Sequence, residues 1–249
     1  MENKLKRIKV EKVSKKFKIG FKKNQSILAR AISFFSGKEP KKIIQVLDEI
    51  TFDVSSGEIL GIIGENGSGK STLLRIIAGI YKQDSGKIET NGNLVSLINL
   101  RAGLKDRLTM KENIYLVGSI FGLSKKEIKR KFNSIVEFSE LGEFTQTKIY
   151  QFSEGMRQRL VFSIAIHCNP EILLLDEVFE VGDEEFRMKS ARKIKELVLD
   201  GMSVILVSHD LSLIKKYCSR VILIKKGEII KIGKPRNVIK NYLKYTQKN

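Results

Sequence analysis

The sequence contains few cysteines and histidines, which limits the metal and redox chemistry open to the protein. Its two cysteines, Cys168 and Cys218, have neither metal-like spacing nor flanking ligands, so we interpret both as reduced structural residues. Zinc chemistry has no support either, because His167 and His209 are the only histidines. The composition therefore argues against a zinc protein or a disulfide scaffold.

Long apolar runs are also missing. No stretch approaches the roughly 18–20 apolar residues that a membrane-spanning helix needs. The first residues, MENKLKRIKVEK, lack the apolar centre of a signal peptide. With 42% hydrophobic and 30% charged residues, the 249-residue chain has the composition of a soluble globular protein. We therefore expect a cytoplasmic protein that needs a partner for any role at a membrane.

Negative charge is scarce, with 28 acidic residues against 46 lysines and arginines, for a net charge of +18. Residues 1–43 alone hold 14 basic and 3 acidic residues. Such a surplus favours an anionic partner, which would be nucleic acid, the anionic face of a membrane or an acidic substrate. A lysine-rich solvated exterior explains the same charge, so charge alone does not choose a function.

Apolar strands alternate with helices along most of the chain, which predicts an α/β fold with a parallel sheet covered on both faces. The predicted strands lie at 8–17, 43–54, 58–63, 171–176, 203–208, 220–227 and 227–233. Helices are predicted at 71–78, 184–199, 210–217 and 235–245. Between them, residues 100–168 show helical patterns with almost no strand signal.

These patterns predict a single domain over 1–249. Residues 1–98 and 169–249 form its core, and 99–168 form a helical subdomain inserted into that core. Residues 18–42 interrupt the core as a basic insertion, in which apolar residues recur at helical spacing between two lysine pairs.

A glycine-rich phosphate loop is the strongest motif. The stretch GENGSGKS fits G-x-x-x-x-G-K-[ST], directly after a strand and directly before a helix. Its backbone amides would surround phosphate groups, Lys70 would supply a positive charge, and the hydroxyl of Ser71 would ligate Mg²⁺. The predicted nucleotide-binding residues are Gly64, Glu65, Asn66, Gly67, Ser68, Gly69, Lys70, Ser71 and Thr72.

Polar residues follow two later strands, where ligands collect in open α/β sheets. Asp176 ends the strand EILLLD and is predicted to hold the magnesium ion. Glu177 follows it directly and is positioned to polarise an attacking water. His209 ends the strand SVILVS and is predicted to contact the terminal phosphate and to orient the same water.

A second anion-binding element lies in YQFSEGMRQRL at 150–160. Ser153 suits the N-cap of a helix, and Gly155 allows a close backbone approach. The amino end of such a helix attracts anions through its unpaired amides and its dipole. This loop carries no lysine, so it does not repeat the first one.

Taken together, GENGSGKST, FSEGMRQRL, ILLLDE and VSHD resemble, in order and spacing, the ATP-binding subunits of ABC transporters. The resemblance implies a P-loop NTPase core, a parallel-rich sheet with an antiparallel N-terminal β portion and an inserted α-helical subdomain. It further implies ATP and Mg²⁺ as cofactors and a head-to-tail homodimer. In that dimer, Ser153 and Gly155 cover the nucleotide held by the partner's phosphate loop.

The same resemblance assigns further roles. Phe17 matches the aromatic residue that stacks on adenine, with Phe21 as a nearby competitor. Glu177 matches the general base, His209 the switch histidine, and 181–183 the loop that crosses the dimer interface.

Departures from the common pattern indicate the branch of the family. Glu154 and Met156 replace the second and fourth residues of the usual Ser-Gly-Gly-Gln signature, and Asn99 stands where a magnesium-linked glutamine is expected. Together with LRAGLKDRLTMKENIYLVGSIFG and EVFEVGDEEF, these departures resemble the subgroup that exports capsule, O-antigen and teichoic-acid polymers. That resemblance implies a separate membrane permease that contacts the helical subdomain at 99–110. It also implies a place at the cytoplasmic face of the cell membrane.

Other interpretations stay open. Related ATPases act on nucleic acid or the ribosome, but this sequence has no long coiled coil and only one ATPase domain. A small-molecule kinase would explain the phosphate loop but not the 150–160 motif or His209. The 18–42 insertion fits a short helix with solvated lysines, or a contact with the permease or the anionic membrane face. In members with an added carbohydrate-binding domain, that domain follows the core, and we expect none in this chain.

Overall fold

The structure of the protein is a computed structural model that describes residues 5–19, 42–98, 103–176 and 182–246. It contains two sheets and the helices that pack around them. The strands are β1 (Lys6–Ile19), β2 (Lys42–Ser55), β3 (Ile59–Ile63), β4 (Ser85–Thr90), β5 (Leu94–Leu97), β6 (Ile172–Asp176), β7 (Ser203–Val207), β8 (Arg220–Lys225) and β9 (Glu228–Gly233). The helices are α1 (Lys70–Ile77), α2 (Met110–Ile120), α3 (Lys125–Ser139), α4 (Glu154–His167), α5 (Glu184–Leu199), α6 (Leu211–Tyr217) and α7 (Pro235–Thr246).

The larger sheet has the strand order β5-β6-β7-β3-β8-β9 and is parallel except for the antiparallel pair β8 and β9. Every residue of β3 and of β7 is buried. A parallel strand covered on both faces has no solvent side, so it reads as a continuous apolar run. This burial explains why ILGII and SVILV could be recognised as strands.

Two hydrophobic cores lie on opposite faces of this sheet, because successive side chains of a strand point in opposite directions. In β3, Ile59 and Ile63 contribute to the core shared with α2, α3, α4 and α5. Leu60 and Ile62 contribute to the other core, which α1 and the smaller sheet complete. The predicted α/β class is therefore confirmed.

The smaller sheet is antiparallel, with the order β2-β1-β4. Strand β4 of this sheet was not predicted from the sequence, and neither was β5 of the larger sheet. The segment SGKIET of β4 is mostly exposed and has no regular apolar alternation, so its strand conformation depends on pairing with β1.

Helices α2, α3 and α4 lie between β5 and β6 in the chain and pack against each other. Thr109 and Ser124 each form a capping box, in which the N-cap hydroxyl and a glutamate three residues later bond each other's backbone amides. Of the helices in the described part of the chain, none is long and apolar enough to cross a bilayer.

Both cysteines are buried and unpaired, in agreement with their interpretation as reduced structural residues. Burial raises the pKa of each thiol to about 12, since the thiolate would lose its hydration. Neither side chain is therefore a reactive nucleophile near neutral pH.

Candidate functional site

The phosphate loop connects β3 to α1 at the carboxyl edge of the larger sheet. Gly69 is the N-cap of α1 with φ of 109°, and no side chain in the described part of the chain caps this helix. The first amides of a helix have no acceptor within the helix, so they remain available to an anion. The loop borders a cavity of about 330 Å³ lined by Val46, Asn66, Gly67, Ser68, Gly69, Lys70, Ser71, Thr72 and His209.

Lys70 is held inside this loop. Only 6% of the residue is exposed. Its Nζ donates hydrogen bonds to the carbonyl oxygens of Gly64 at 2.8 Å and Glu65 at 3.0 Å. The hydroxyl of Ser68 is buried and has no hydrogen-bond partner among the described residues. The loop therefore concentrates a positive charge and unused donors around the cavity, which suits a polyphosphate.

Gly64 is required at the start of the loop. A Cβ atom there would lie 2.2 Å from the carbonyl oxygen of Ile224, which belongs to β8. We expect Gly64→Ala to lower the free energy of unfolding by about 1–3 kcal/mol, because backbone must move to relieve the overlap. Urea denaturation measures this loss.

Gly79 provides the matched control for that substitution. It also has a positive φ, +72°, but a Cβ atom there would meet nothing within 4 Å. Gly79→Ala therefore reports backbone strain alone. Equal losses of stability for the two variants would contradict the steric explanation.

Asp176 and His209 reach the same edge of the sheet as the phosphate loop. The parallel register aligns Asp176 with Val207, and Val207 with Ile62 of β3. His209 follows β7 by two residues and lines the cavity of the phosphate loop. The sequence-based grouping of these three elements therefore agrees with the sheet register, although their individual roles stay predictions.

The turn that carries His209 is fixed on both sides. The Ser208 hydroxyl accepts a hydrogen bond from the Asp210 amide at 3.0 Å. Asp210 caps α6 by accepting from the amides of Ser212 and Leu213. Hydrogen bonds from Ser212 lower the pKa of the Asp210 carboxyl, so this cap is ionised near neutral pH.

Phe17 lies on β1, and its ring packs against Tyr81, with the centroids 5.8 Å apart in an edge-to-face arrangement. Lys15 places its Nζ 5.4 Å from the Phe17 centroid. Phe17 is not among the described residues that line the phosphate-loop cavity. Its predicted stacking on adenine therefore stays a prediction, and Tyr81 is a neighbour that the sequence did not indicate.

The 150–160 segment, in which α4 begins, borders a second, smaller hollow of about 240 Å³. Ser153 is the N-cap of α4, as predicted, and its hydroxyl accepts the amide of Met156 at 3.2 Å. A Cβ atom at Gly155 would have only the Ser153 hydroxyl oxygen near it among the described residues, at 4.0 Å, so the backbone there is open to a ligand. The hollow is lined by Ser153, Gly155, Met156, Gln158, Arg159, Gly182 and Asp183.

Two arginines of α4 anchor this loop, and sequence reasoning did not identify either of them. Arg157 pairs with Asp106, in the loop before α2, at 2.5 Å. Arg159 pairs with Glu140 at the end of α3 and lies 3.5 Å from Asp183, the N-cap of α5. The only signal in the sequence was the repeated arginine in MRQR, and it does not indicate the partners.

Four residues with predicted roles lie outside the described residues. They are Glu177 as the general base, Asn99 as a magnesium ligand, Phe21 as the alternative adenine contact, and Val181 of the interface loop. Most of the 18–42 insertion also lies outside the described residues.

The fold and the phosphate loop define a nucleotide-binding α/β protein of the P-loop class. Residues 47–180 match the family model described as "ABC transporter". The chain therefore belongs to the ABC transporter family, which confirms the resemblance inferred from the four motifs.

Several curated proteins are similar over most of the chain. It is 42% identical to the teichoic acids export ATP-binding protein TagH of Lactococcus lactis over 98% of its length and 52% of that protein. It is 39% identical to the O-antigen export system ATP-binding protein RfbB of Myxococcus xanthus, over 80% of the chain and 46% of that protein. The chain thus spans about half the length of these two relatives.

Solved structures support the fold. A dimeric ATP-binding cassette in a post-hydrolysis state, bound to ADP and Pi, is 25% identical with a TM-score of 0.74. That similarity covers 92% of this chain and 99% of the cassette. An ATP-binding subunit of an ABC transporter, 22% identical, has a TM-score of 0.74 over 94% of this chain and 92% of that one.

Proposed function

We propose that the protein is the ATP-hydrolysing subunit of an ABC exporter. In this proposal it powers the export of a lipid-linked polysaccharide or teichoic-acid-type polymer through a separate membrane permease. The observation that carries the proposal is that one chain has both a complete phosphate loop and the separate hollow at the amino end of α4. We name this hollow the Ser153 half-site. The similarity to TagH and RfbB over most of the chain supports the choice of cargo.

The described residues fit ATP and Mg²⁺. Among the described residues, the amino end of α1 has no side-chain cap and the Ser68 hydroxyl has no hydrogen-bond partner, so together with the buried Lys70 they provide donors and positive charge for phosphate groups. Ser71 and Asp176 offer oxygen ligands of the kind that Mg²⁺ prefers, and Asn99 is proposed as a further ligand. When bound, the ion would neutralise charge on the phosphates.

The proposed reaction is in-line attack of water on the γ-phosphorus of ATP. The new bond forms between the water oxygen and phosphorus, the bond to the bridging oxygen breaks, and ADP leaves with phosphate as the second product. Glu177 takes the proton of the water, and His209 helps to orient that water. Lys70 stabilises the negative charge that develops on the transferred group.

The half-site at Ser153 gives the reason for a dimer. It has a helix amino end and a hollow but no lysine, so it complements a phosphate loop rather than replacing one. In the proposed homodimer, Ser153 and Gly155 contact the γ-phosphate held by the other protomer. A dimeric cassette among the similar structures supports this arrangement. Hydrolysis removes the γ-phosphate that both protomers contact, so the dimer opens.

The helical subdomain is the proposed contact for the permease, with 99–110 as the coupling region. The described part of this loop is held by Asn113, which is fully buried in α2. Its side-chain oxygen accepts the amide of Lys105 at 2.7 Å, and its side-chain nitrogen donates to three carbonyl oxygens of the loop. A loop held this firmly can transmit displacement from α2 to a partner. Peripheral contact of the insertion with the cytoplasmic membrane face is also proposed.

Two measurements test the proposed function. Purified protein should release phosphate from ATP, and DNA or RNA should not stimulate that rate; strong stimulation would instead favour a nucleic-acid ATPase. In cells, depletion of the protein should lower polymer at the surface while lipid-linked polymer accumulates inside. Unchanged surface polymer after depletion would exclude the export role. Removal of 22–42 tests the proposed membrane contact, with surface polymer measured in the same assay.

Ser153 offers a third test, of the trans half-site. We expect Ser153→Ala to lower the turnover number about tenfold or more, since a donor to the γ-phosphate is lost. The same change removes an N-cap, which by itself costs about 1 kcal/mol of stability. Phosphate release and thermal unfolding are measured together.

Ser124→Ala is the matched control, because Ser124 also caps its helix, α3, by accepting a hydrogen bond from the amide three residues later, there as part of a capping box. It should lose similar stability yet hydrolyse ATP normally. Equal losses of turnover in both variants would show that Ser153 acts only as a cap.

A further inference from the structure

Four charged side chains from three helices meet beside the Ser153 hollow. We name them the interhelix ion cluster: Arg159 of α4, Glu140 at the end of α3, Asp183 at the N-cap of α5, and Lys189 within α5. Arg159 pairs with Glu140 and lies 3.5 Å from a carboxylate oxygen of Asp183. Lys189 reaches the other oxygen of Glu140 at 2.8 Å. Its hydrogen bond lowers the pKa of Glu140, so this carboxylate is ionised near neutral pH.

Arg159 is the residue that holds this cluster together. Its side chain is only 16% exposed, whereas those of its two anionic partners are 42% and 65% exposed. Its Nε donates to the carbonyl oxygen of Ser139 at 3.1 Å, and its guanidinium lies 4.8 Å from the ring centroid of Phe186. A planar guanidinium can form these ion pairs, the hydrogen bond and the ring contact at the same time, whereas a lysine ammonium cannot form them with the same geometry.

An aromatic layer supports the cluster. The rings of Phe138, Phe162 and Phe186 form a triangle with centroid separations of 5.7, 6.1 and 6.4 Å. Lys189 donates to the carbonyl oxygen of Phe138 at 3.0 Å and lies 4.7 Å from its ring centroid. Because these rings come from α3, α4 and α5, the aromatic layer and the interhelix ion cluster hold the same three helices together.

The cluster continues directly into the Ser153 hollow. Asp183, besides pairing with Arg159, caps α5 by accepting the amide of Phe186 at 2.9 Å. Gly182 packs on the stem of Arg159, because a Cβ atom there would lie 3.2 Å from Arg159 Cγ. Ser153, Gly182 and Asp183 line one hollow together with Arg159. Arg159, six residues after Ser153 in α4, therefore links the first turns of this helix to the 182–183 segment.

We propose that Arg159 is a positioning residue that holds Ser153 and Asp183 in one fixed arrangement facing the partner protomer's nucleotide. Through Glu140 and Lys189, the same contacts link the end of α3 in the helical region to α5 of the core. Movement of the helical region is thereby transmitted to both loops that border the hollow. This inference rests on the proposed function, because it assumes that the hollow covers a nucleotide in trans.

Two variants test the inference. Asp183→Asn keeps an N-cap residue on α5 but removes the charge that faces Arg159. Arg159→Met keeps the packing stem and removes every ionic contact. We expect each to lower the turnover number about tenfold, the effect of losing a hydrogen bond to a charged group. The Hill coefficient for ATP should fall toward one, while binding of a fluorescent ATP analogue to the phosphate loop stays within about twofold of wild type.

Lys193→Met is the matched control. Lys193 also lies on α5 and pairs with Glu196 at 3.1 Å, outside the cluster. It should keep both the turnover number and the Hill coefficient. A thermal unfolding curve for each variant separates loss of fold from loss of positioning, and Asp183→Asn is the variant expected to keep the wild-type unfolding temperature.

The outcomes separate the two proposals. Absence of ATP hydrolysis by the wild-type protein would overturn the proposed function, and the inference with it. Cooperative hydrolysis by wild type together with unchanged turnover and Hill coefficient in a folded Asp183→Asn variant would overturn the inference alone. Reduced turnover and lost cooperativity with retained analogue binding would support it.

Discussion

Replacing Lys70 with methionine is expected to reduce ATP hydrolysis by at least about a hundredfold. Among the residues that line the phosphate-loop cavity in the described part of the chain, Lys70 is the one lysine or arginine, and it is only 6% exposed. Methionine has a similar length but cannot neutralise phosphate charge. Binding of a fluorescent ATP analogue should weaken about tenfold or more, because charge-assisted hydrogen bonds are lost.

Phosphate release and analogue binding measure the two effects. Methionine also leaves the carbonyl oxygens of Gly64 and Glu65 without the Lys70 donor, so thermal unfolding is recorded in parallel. Lys87→Met is the control, since Lys87 is an exposed lysine of β4 that pairs with Glu89. Normal hydrolysis by a folded Lys70→Met variant would exclude the phosphate-loop assignment.

Replacing Glu177 with glutamine is expected to separate ATP binding from turnover. Glutamine keeps the size of the side chain but cannot accept the proton of the attacking water. The turnover number should fall about 10²–10⁴-fold, the usual contribution of a general base. ATP affinity should persist because Lys70, Ser71 and Asp176 are intact. With hydrolysis blocked, size-exclusion chromatography in ATP and Mg²⁺ should show a dimer.

Glu196→Gln is the control for this substitution, because Glu196 is an exposed glutamate of α5. It should hydrolyse ATP normally and show no stable dimer. Hydrolysis at the wild-type rate by Glu177→Gln would exclude Glu177 as the base. An ATP-bound variant that remains monomeric would contradict the shared-nucleotide dimer.

Local sequence was sufficient for much of the core because the signals there are short-range. The buried strands β3, β6 and β7 are continuous apolar runs, and their observed bounds lie within about one residue of the predicted ones. The phosphate loop needs only glycines and a lysine at fixed spacing. The helices α2 and α3 begin after Thr109 and Ser124, whose capping boxes involve residues three positions apart.

Elements that depend on distant partners were missed or left open. The strand β4 is held by β1, which lies far earlier in the chain, and its own residues are mostly exposed. Phe17 matches an adenine-stacking position, yet its ring packs against Tyr81, which follows the whole phosphate loop in the sequence. Neither contact leaves a periodic signal in the sequence, so neither could be predicted from it.

The sequence by itself determined the α/β class, the phosphate loop and the presence of a second loop without a lysine, since each depends on neighbouring residues. Only the tertiary structure decided what surrounds that second loop. Arg159 meets Glu140, 19 residues earlier, and also Asp183, the N-cap of α5. Such ion pairs form because packing brings three helices together over a shared aromatic layer, and no local pattern specifies that arrangement.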